Sequence, residues 1–210
     1  MQLFNSPTRY GMIAQCLHWT AVALVVLAWT LGMLGDEIPR GPGRELGLYV
    51  HTTAGLLVIA LTILRLLWRL ADPSPPPEKT RFGEWLFADW IGLGAKLAHF
   101  GLYVLLVAVP VAGIVLQFAR GDALPIFGIM EITSPWARDR AFAGSVKEVH
   151  ELLAHGLLAL AGLHAAAAGS SLGFCRSHAG SDAARLEALK LMGAIAEWRE
   201  NRHTCRPLIP

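Results

Sequence analysis

Charge is scarce in this sequence. Asp, Glu, Lys and Arg make up 16% of 210 residues, against 54% apolar residues, where a soluble domain carries about 25% charged residues. That balance excludes an ordinary soluble domain and points to a membrane protein. The net charge is only +2, and Lys and Arg form no long run, so a nucleic-acid partner is not expected. Cysteine is equally sparse. Cys16, Cys175 and Cys205 are isolated, with neither zinc spacing nor a disulfide framework. Internal repeats and low-complexity stretches are missing. So is a short apolar stretch followed by a small-residue cleavage site, and the apolar run from Met12 therefore reads as a retained helix.

What the sequence does contain is long apolar runs. A bilayer core about 30 Å thick needs about 20 apolar residues of helix, and four segments reach that length: 12–34, 48–70, 93–118 and 146–170. The expected architecture is an all-α integral membrane protein, an antiparallel four-helix transmembrane bundle over residues 1–175, followed by a divergent polar tail over 176–210. Pro110 falls inside the third run, which a membrane helix tolerates when neighbours satisfy the freed carbonyl. The fourth is rich in alanine and glycine (LLALAGLHAAAAG), and such small residues let a helix or a flat cofactor approach closely. DPSPPPEK after the second run cannot continue a helix, so 72–90 reads as a loop with Trp85 and Trp90 at an interface. The connector 120–145 is the longest, long enough to fold over one end of the bundle. Near the membrane ends, seven Lys and Arg lie on the side of Arg9, Arg65 and Arg69, and six on the side of Arg40, Arg44 and Arg120. This small excess favours both termini in the cytoplasm.

Histidine inside an apolar span is costly, and so is a candidate functional group. His150 and His164 stand 14 residues apart in the fourth run, about 21 Å along an ideal helix and on nearly the same face. Two cofactors can stack in that distance. With antiparallel helices, His18 near the start of the first run reaches the level of His164, and His51 at the start of the second reaches that of His150. Two histidine pairs at two depths, each bridging two helices, suit bis-histidine ligation of two haems. The sequence has no CxxCH for covalent attachment, so axial ligands and packing alone must hold each haem. Iron with both axial positions filled passes electrons rather than binding a substrate. His155, five positions beyond His150 and about 140° round the helix, is expected to face away from this stripe. His99 is a candidate for a polar contact to a propionate or quinone, and His178 and His203 fall in the polar tail. Arg65 and Arg69 share a face at the His18/His164 end, where one of them is a candidate to clamp a haem propionate. The other reading is that both snorkel to the interface. Arg138, Arg140 and Lys147 are candidates to draw an anion towards the opposite end.

LHW at residues 17–19, HTTAGLLVIALTILRLLWRL from His51, AHFGLYVLLVAVPVAGIVL from Ala98, ARGDALPIFG from Ala119 and HELLAHGLLALAGLHAAAA from His150 together resemble the bacterial cytochrome b561 family. The resemblance covers roughly residues 8–168. It implies two haems b, on His18/His164 and His51/His150, in the bacterial inner membrane. It also implies a reaction with the quinone pool in which superoxide is oxidised and ubiquinone reduced. A second reading is a cytochrome b anchor that passes electrons between quinone and a soluble dehydrogenase or hydrogenase partner. A third, a membrane protein with incidental histidines, does not explain their register. Beyond Ala168 the chain departs from the family pattern, so quinone-side residues there do not carry over. A surface helix over 183–198 or a shifted reading frame would each account for that tail.

Overall fold

The computed structural model describes residues 2–35, 37–75 and 87–169. The Trp85/Trp90 belt and the tail, with Cys175, His178, Cys205, His203 and the 183–198 helix, lie outside the described residues or side chains. The chain divides into two compact units, Met1–Ala161 and Gly162–Pro210.

Four helices dominate: α1 (Met12–Leu34), α2 (Pro42–Ala71), α3 (Phe87–Ala119) and α4 (Arg140–Gly169). Each is long and apolar enough to cross a membrane. The last three begin several residues before the apolar runs do, because hydropathy marks only the part of a helix in hydrocarbon. Local signals set the true starts. Pro42 occupies the first turn of α2, where its fixed φ suits a helix and its missing N–H is not needed. Asp139 caps α4, its carboxylate accepting the Phe142 N–H at 3.0 Å.

Within the first unit the helices meet around Val58, Leu106 and Leu157, with Leu24, Val25 and Val109 packed against them, so every helix contributes to one core. A smaller cluster of Leu116, Ala119 and Ala143 joins the end of α3 to the start of α4. Thr62, the largest fully buried side chain among the described residues, donates its hydroxyl to Val58 O at 2.7 Å, which offsets the cost of burying a polar group. The outward faces stay apolar, Trp19 being 65% exposed and Leu70 82%.

The connector between α3 and α4 forms a short antiparallel hairpin, β1 (Leu124–Ile126) with β2 (Met130–Ile132), with Leu124 opposite Ile132 and Ile126 opposite Met130. Phe127 and Gly128 turn the chain at φ 51° and 70°, and the Ile129 N–H closes the turn onto Ile126 O at 3.0 Å. At the other end of the bundle the N-terminal segment clasps α2. Asn5 donates its backbone N–H to the Asp72 carboxylate at 2.9 Å and its amide to Asp72 O at 3.0 Å, while Phe4 stacks on Trp68.

Candidate functional site

A cavity of about 460 Å³ runs between the four helices of the first unit, near the hairpin end. Its walls are apolar residues of all four helices, and His51 of α2 and His150 of α4 project into it. Both histidines are half-buried. Their ring centroids stand 6.0 Å apart, with planes inclined at 72°.

The two imidazoles are held in the same way. His51 Nδ1 lies 2.8 Å from Ala28 O on α1, and His150 Nδ1 lies 3.0 Å from Val109 O on α3. A carbonyl can only accept, so in each ring Nδ1 carries the proton and donates it, leaving the Nε2 lone pair available to a metal. Four residues beyond each carbonyl stands a glycine. A Cβ on Gly32 would lie 3.3 Å from His51 Cε1, and one on Gly113 would lie 3.2 Å from His150 Cε1. Missing side chains at those two positions let each ring come close enough to the neighbouring helix to reach its carbonyl. The α1–α2 and α3–α4 halves thus use one device twice.

The spacing can be tested against ligand chemistry. A metal–imidazole bond of about 2.0 Å on each side, with roughly 1.1 Å from nitrogen to ring centre, allows two imidazoles that share one metal to stand up to about 6 Å apart, centre to centre. The observed separation matches. Among the described residues no group of three or more His, Cys, Asp or Glu could hold a bare metal ion. The cavity volume, its apolar walls and the two imidazoles whose Nδ1 atoms are already engaged fit a flat metal-bearing macrocycle such as haem.

At its mouth the cavity is lined by Arg44, Arg120 and Lys147, with Glu37 and Glu151 among them. Lys147 pairs with Glu151 at 3.4 Å. Arg138 and Arg140, grouped with Lys147 on sequence grounds, are exposed and do not line the cavity. His155 does line it, contrary to the expectation that it faces away. The cavity is wide enough to extend towards α1, where the His155 ring meets Trp29 edge-on at 6.2 Å, and its Nδ1 donates back to Glu151 O at 2.6 Å.

The other candidates lie elsewhere. His18 is half-buried on α1 with its ring against Trp19, at 5.3 Å and 65°. His164 is a half-buried residue in the part of α4 assigned to the second unit. Arg65 is half-buried and Arg69 exposed in the last turns of α2, beside Trp68. His99 is exposed on α3 with Nδ1 donating to Ala95 O at 2.7 Å. Sequence reasoning missed Gly32, Gly113 and the carbonyls of Ala28 and Val109. The only signal for them was a glycine on each neighbouring helix at a level that places it beside a histidine.

Four helices able to cross a membrane around a cavity that holds two imidazoles describe an integral-membrane electron carrier. The chain belongs to the prokaryotic cytochrome b561 family, whose profile matches residues 9–171. It is 27% identical over 165 residues to cytochrome b561 homolog 2 of Escherichia coli (strain K12), covering 78% of this chain and 85% of that protein. It is 30% identical over 166 residues to the probable superoxide oxidase CybB of Yersinia pestis, covering 76% and 86%. Cytochrome b561 homolog 1 of E. coli is 29% identical over 167 residues, covering 76% and 88%. The family makes this a membrane electron-transfer protein, implies haem b as its cofactor, and with the four spans fits the bacterial inner membrane.

Proposed function

We propose that this chain is a di-haem b-type cytochrome that oxidises superoxide at the membrane face nearest His51 and His150 and reduces ubiquinone. The observation that carries this reading is the pair of imidazoles 6.0 Å apart in an apolar cavity. A haem held by His51 and His150 would supply a one-electron iron couple there. The chain's own residues do the rest. His51 and His150 present Nε2, the carbonyls of Ala28 and Val109 fix the ring orientations, and the helix walls exclude water.

A second haem on His18 and His164 is proposed from the helix register of the sequence, with Arg65, Arg69 and His99 as its candidate polar contacts. At the His51/His150 end, Arg44 and Arg120 supply positive charge beside the Lys147–Glu151 ion pair. That charge suits propionates and raises the local concentration of an approaching anion. The net reaction balances as two superoxide ions, one quinone and two protons giving two dioxygen molecules and one quinol. The name of the Yersinia pestis relative supports superoxide as the donor.

The test is quinone-dependent consumption of superoxide by the purified haem-loaded protein in lipid. Activity without any further protein is the expected result. If the protein is inert until a soluble dehydrogenase or hydrogenase is added, superoxide oxidation is wrong and the chain is a membrane anchor for that partner.

A further inference from the structure

The hairpin between α3 and α4 carries more apolar surface than its packing uses. Over residues 124–132 the sequence LPIFGIMEI contains one charge, Glu131. Leu124 is buried and lines the cavity, which fixes the inward face of the hairpin. By strand alternation and register, Ile126, Met130 and Ile132 share that face, and Pro125 and Glu131 share the opposite one. Yet Met130 is 57% exposed and Ile132 44%, and at the tip Phe127 and Ile129 are 42% and 85% exposed. The inward face therefore overhangs the bundle.

Its depth is set by α2. A Cβ on Gly128 would lie 2.8 Å from the Tyr49 hydroxyl, so the turn rests against Tyr49. That residue is four positions inside Glu45, the last charged residue at the start of α2 before the apolar stretch, and so about 6 Å deeper along the helix axis. The tip is thus held at the start of α2, where its apolar stretch begins. Where the connector returns, Trp136 meets Phe118 at 6.0 Å and Phe142 at 6.4 Å. Aromatic residues of this kind gather at the level of lipid headgroups.

We propose that the 124–132 hairpin is an interfacial membrane anchor, its Ile126/Met130/Ile132 face and Phe127/Ile129 tip set into the lipid at the His51/His150 end of the bundle. Continuity with the lipid-facing helices identifies the occupant as lipid. The outer edges of the two strands keep their unpaired backbone groups at headgroup level, where water and lipid headgroups reach them, and Glu131 on the other face stays in water. Because Leu124 lines the cavity, the anchor also holds the cavity roof against the membrane surface.

The experiment uses the haem-loaded protein in nanodiscs of phosphatidylethanolamine and phosphatidylglycerol. Cys16, Cys175 and Cys205 are replaced by serine, and a single nitrobenzoxadiazole label is placed at Ile129→Cys or Glu131→Cys. The label at 129 is expected to be quenched several-fold more strongly by lipid carrying a nitroxide near the headgroup than by iodide in the buffer. The label at 131 is expected to show the reverse. Iodide quenching at 129 would place the tip in water and overturn the anchor. Self-quenching at 129 that disappears on dilution with unlabelled protein would assign the face to a second copy. A label at 129 that neither quencher reaches is covered by protein, and that result overturns the proposal equally.

Discussion

An imidazole whose Nδ1–H is tied to a carbonyl has the direction of its Nε2 fixed by that bond, so the ligand geometry proposed for His51 and His150 depends on residues that would touch no haem. In the pair described above those residues are Gly32 with Ala28 O and Gly113 with Val109 O. Replacing either glycine by alanine puts a methyl group against the ring edge, and the ring must yield by a few tenths of an ångström. Gly32→Ala and Gly113→Ala are therefore expected to keep the haem but shift its midpoint potential by tens of millivolts, on the scale of about 59 mV for a tenfold change in a one-electron equilibrium. Redox titration of the purified variants reads this directly, and an unchanged potential in both would remove the positioning role. His51→Ala and His150→Ala are expected to abolish the same haem signal and leave the other spectrally intact; a variant that disturbed both haems equally would contradict the pairing. His51 and His150 were legible in the sequence because histidine is rare and costly in an apolar span and antiparallel helices bring the two to one level. The glycines were not, since small residues are common in membrane helices and only the fold shows which of them lies beneath an imidazole.

At the scale of elements, hydropathy locates the bilayer-crossing part of each helix and says little about where the helix begins. The start of α4 at Arg140 depends on a cap in a stretch that has no apolar run of its own. Asp139 accepts the Phe142 N–H and receives no help from hydrocarbon. Asp139→Ala should cost about 1 kcal/mol, which lowers Tm by about 2–4 °C for a chain of this size. Asp139→Asn should recover most of the loss, because it keeps the acceptor. A melt followed by haem absorbance checks both, and an Asn variant as unstable as the Ala variant would show that the carboxylate matters for its charge instead. The hairpin was equally hard to read: its strands have three residues each, shorter than any run in which alternation stands out. From the sequence, the segment was a connector long enough to fold over the bundle, and the position of Leu124 in the cavity wall gives that expectation its physical form.

For the molecule as a whole, the exposed apolar belt fixes that the chain lies in a bilayer, while the direction expected for it across the bilayer rests on a difference of one charge. Seven Lys and Arg near the membrane ends on the side of Arg9, Arg65 and Arg69 oppose six on the side of Arg40, Arg44 and Arg120, and cationic side chains near span ends resist translocation. Both termini should then be cytoplasmic, with the His51/His150 cavity opening towards the periplasm, where extracytoplasmic superoxide would arrive. A green fluorescent protein fused after Pro210 is expected to fluoresce, and an alkaline phosphatase fused there to be inactive. Because the margin is so small, inserting two lysines beside Gly41 reverses its sign and should produce a mixed or inverted population in the same assay. If that insertion left the orientation unchanged, the charge difference would not be what sets the topology. The orientation would then have to come from how the first helix inserts.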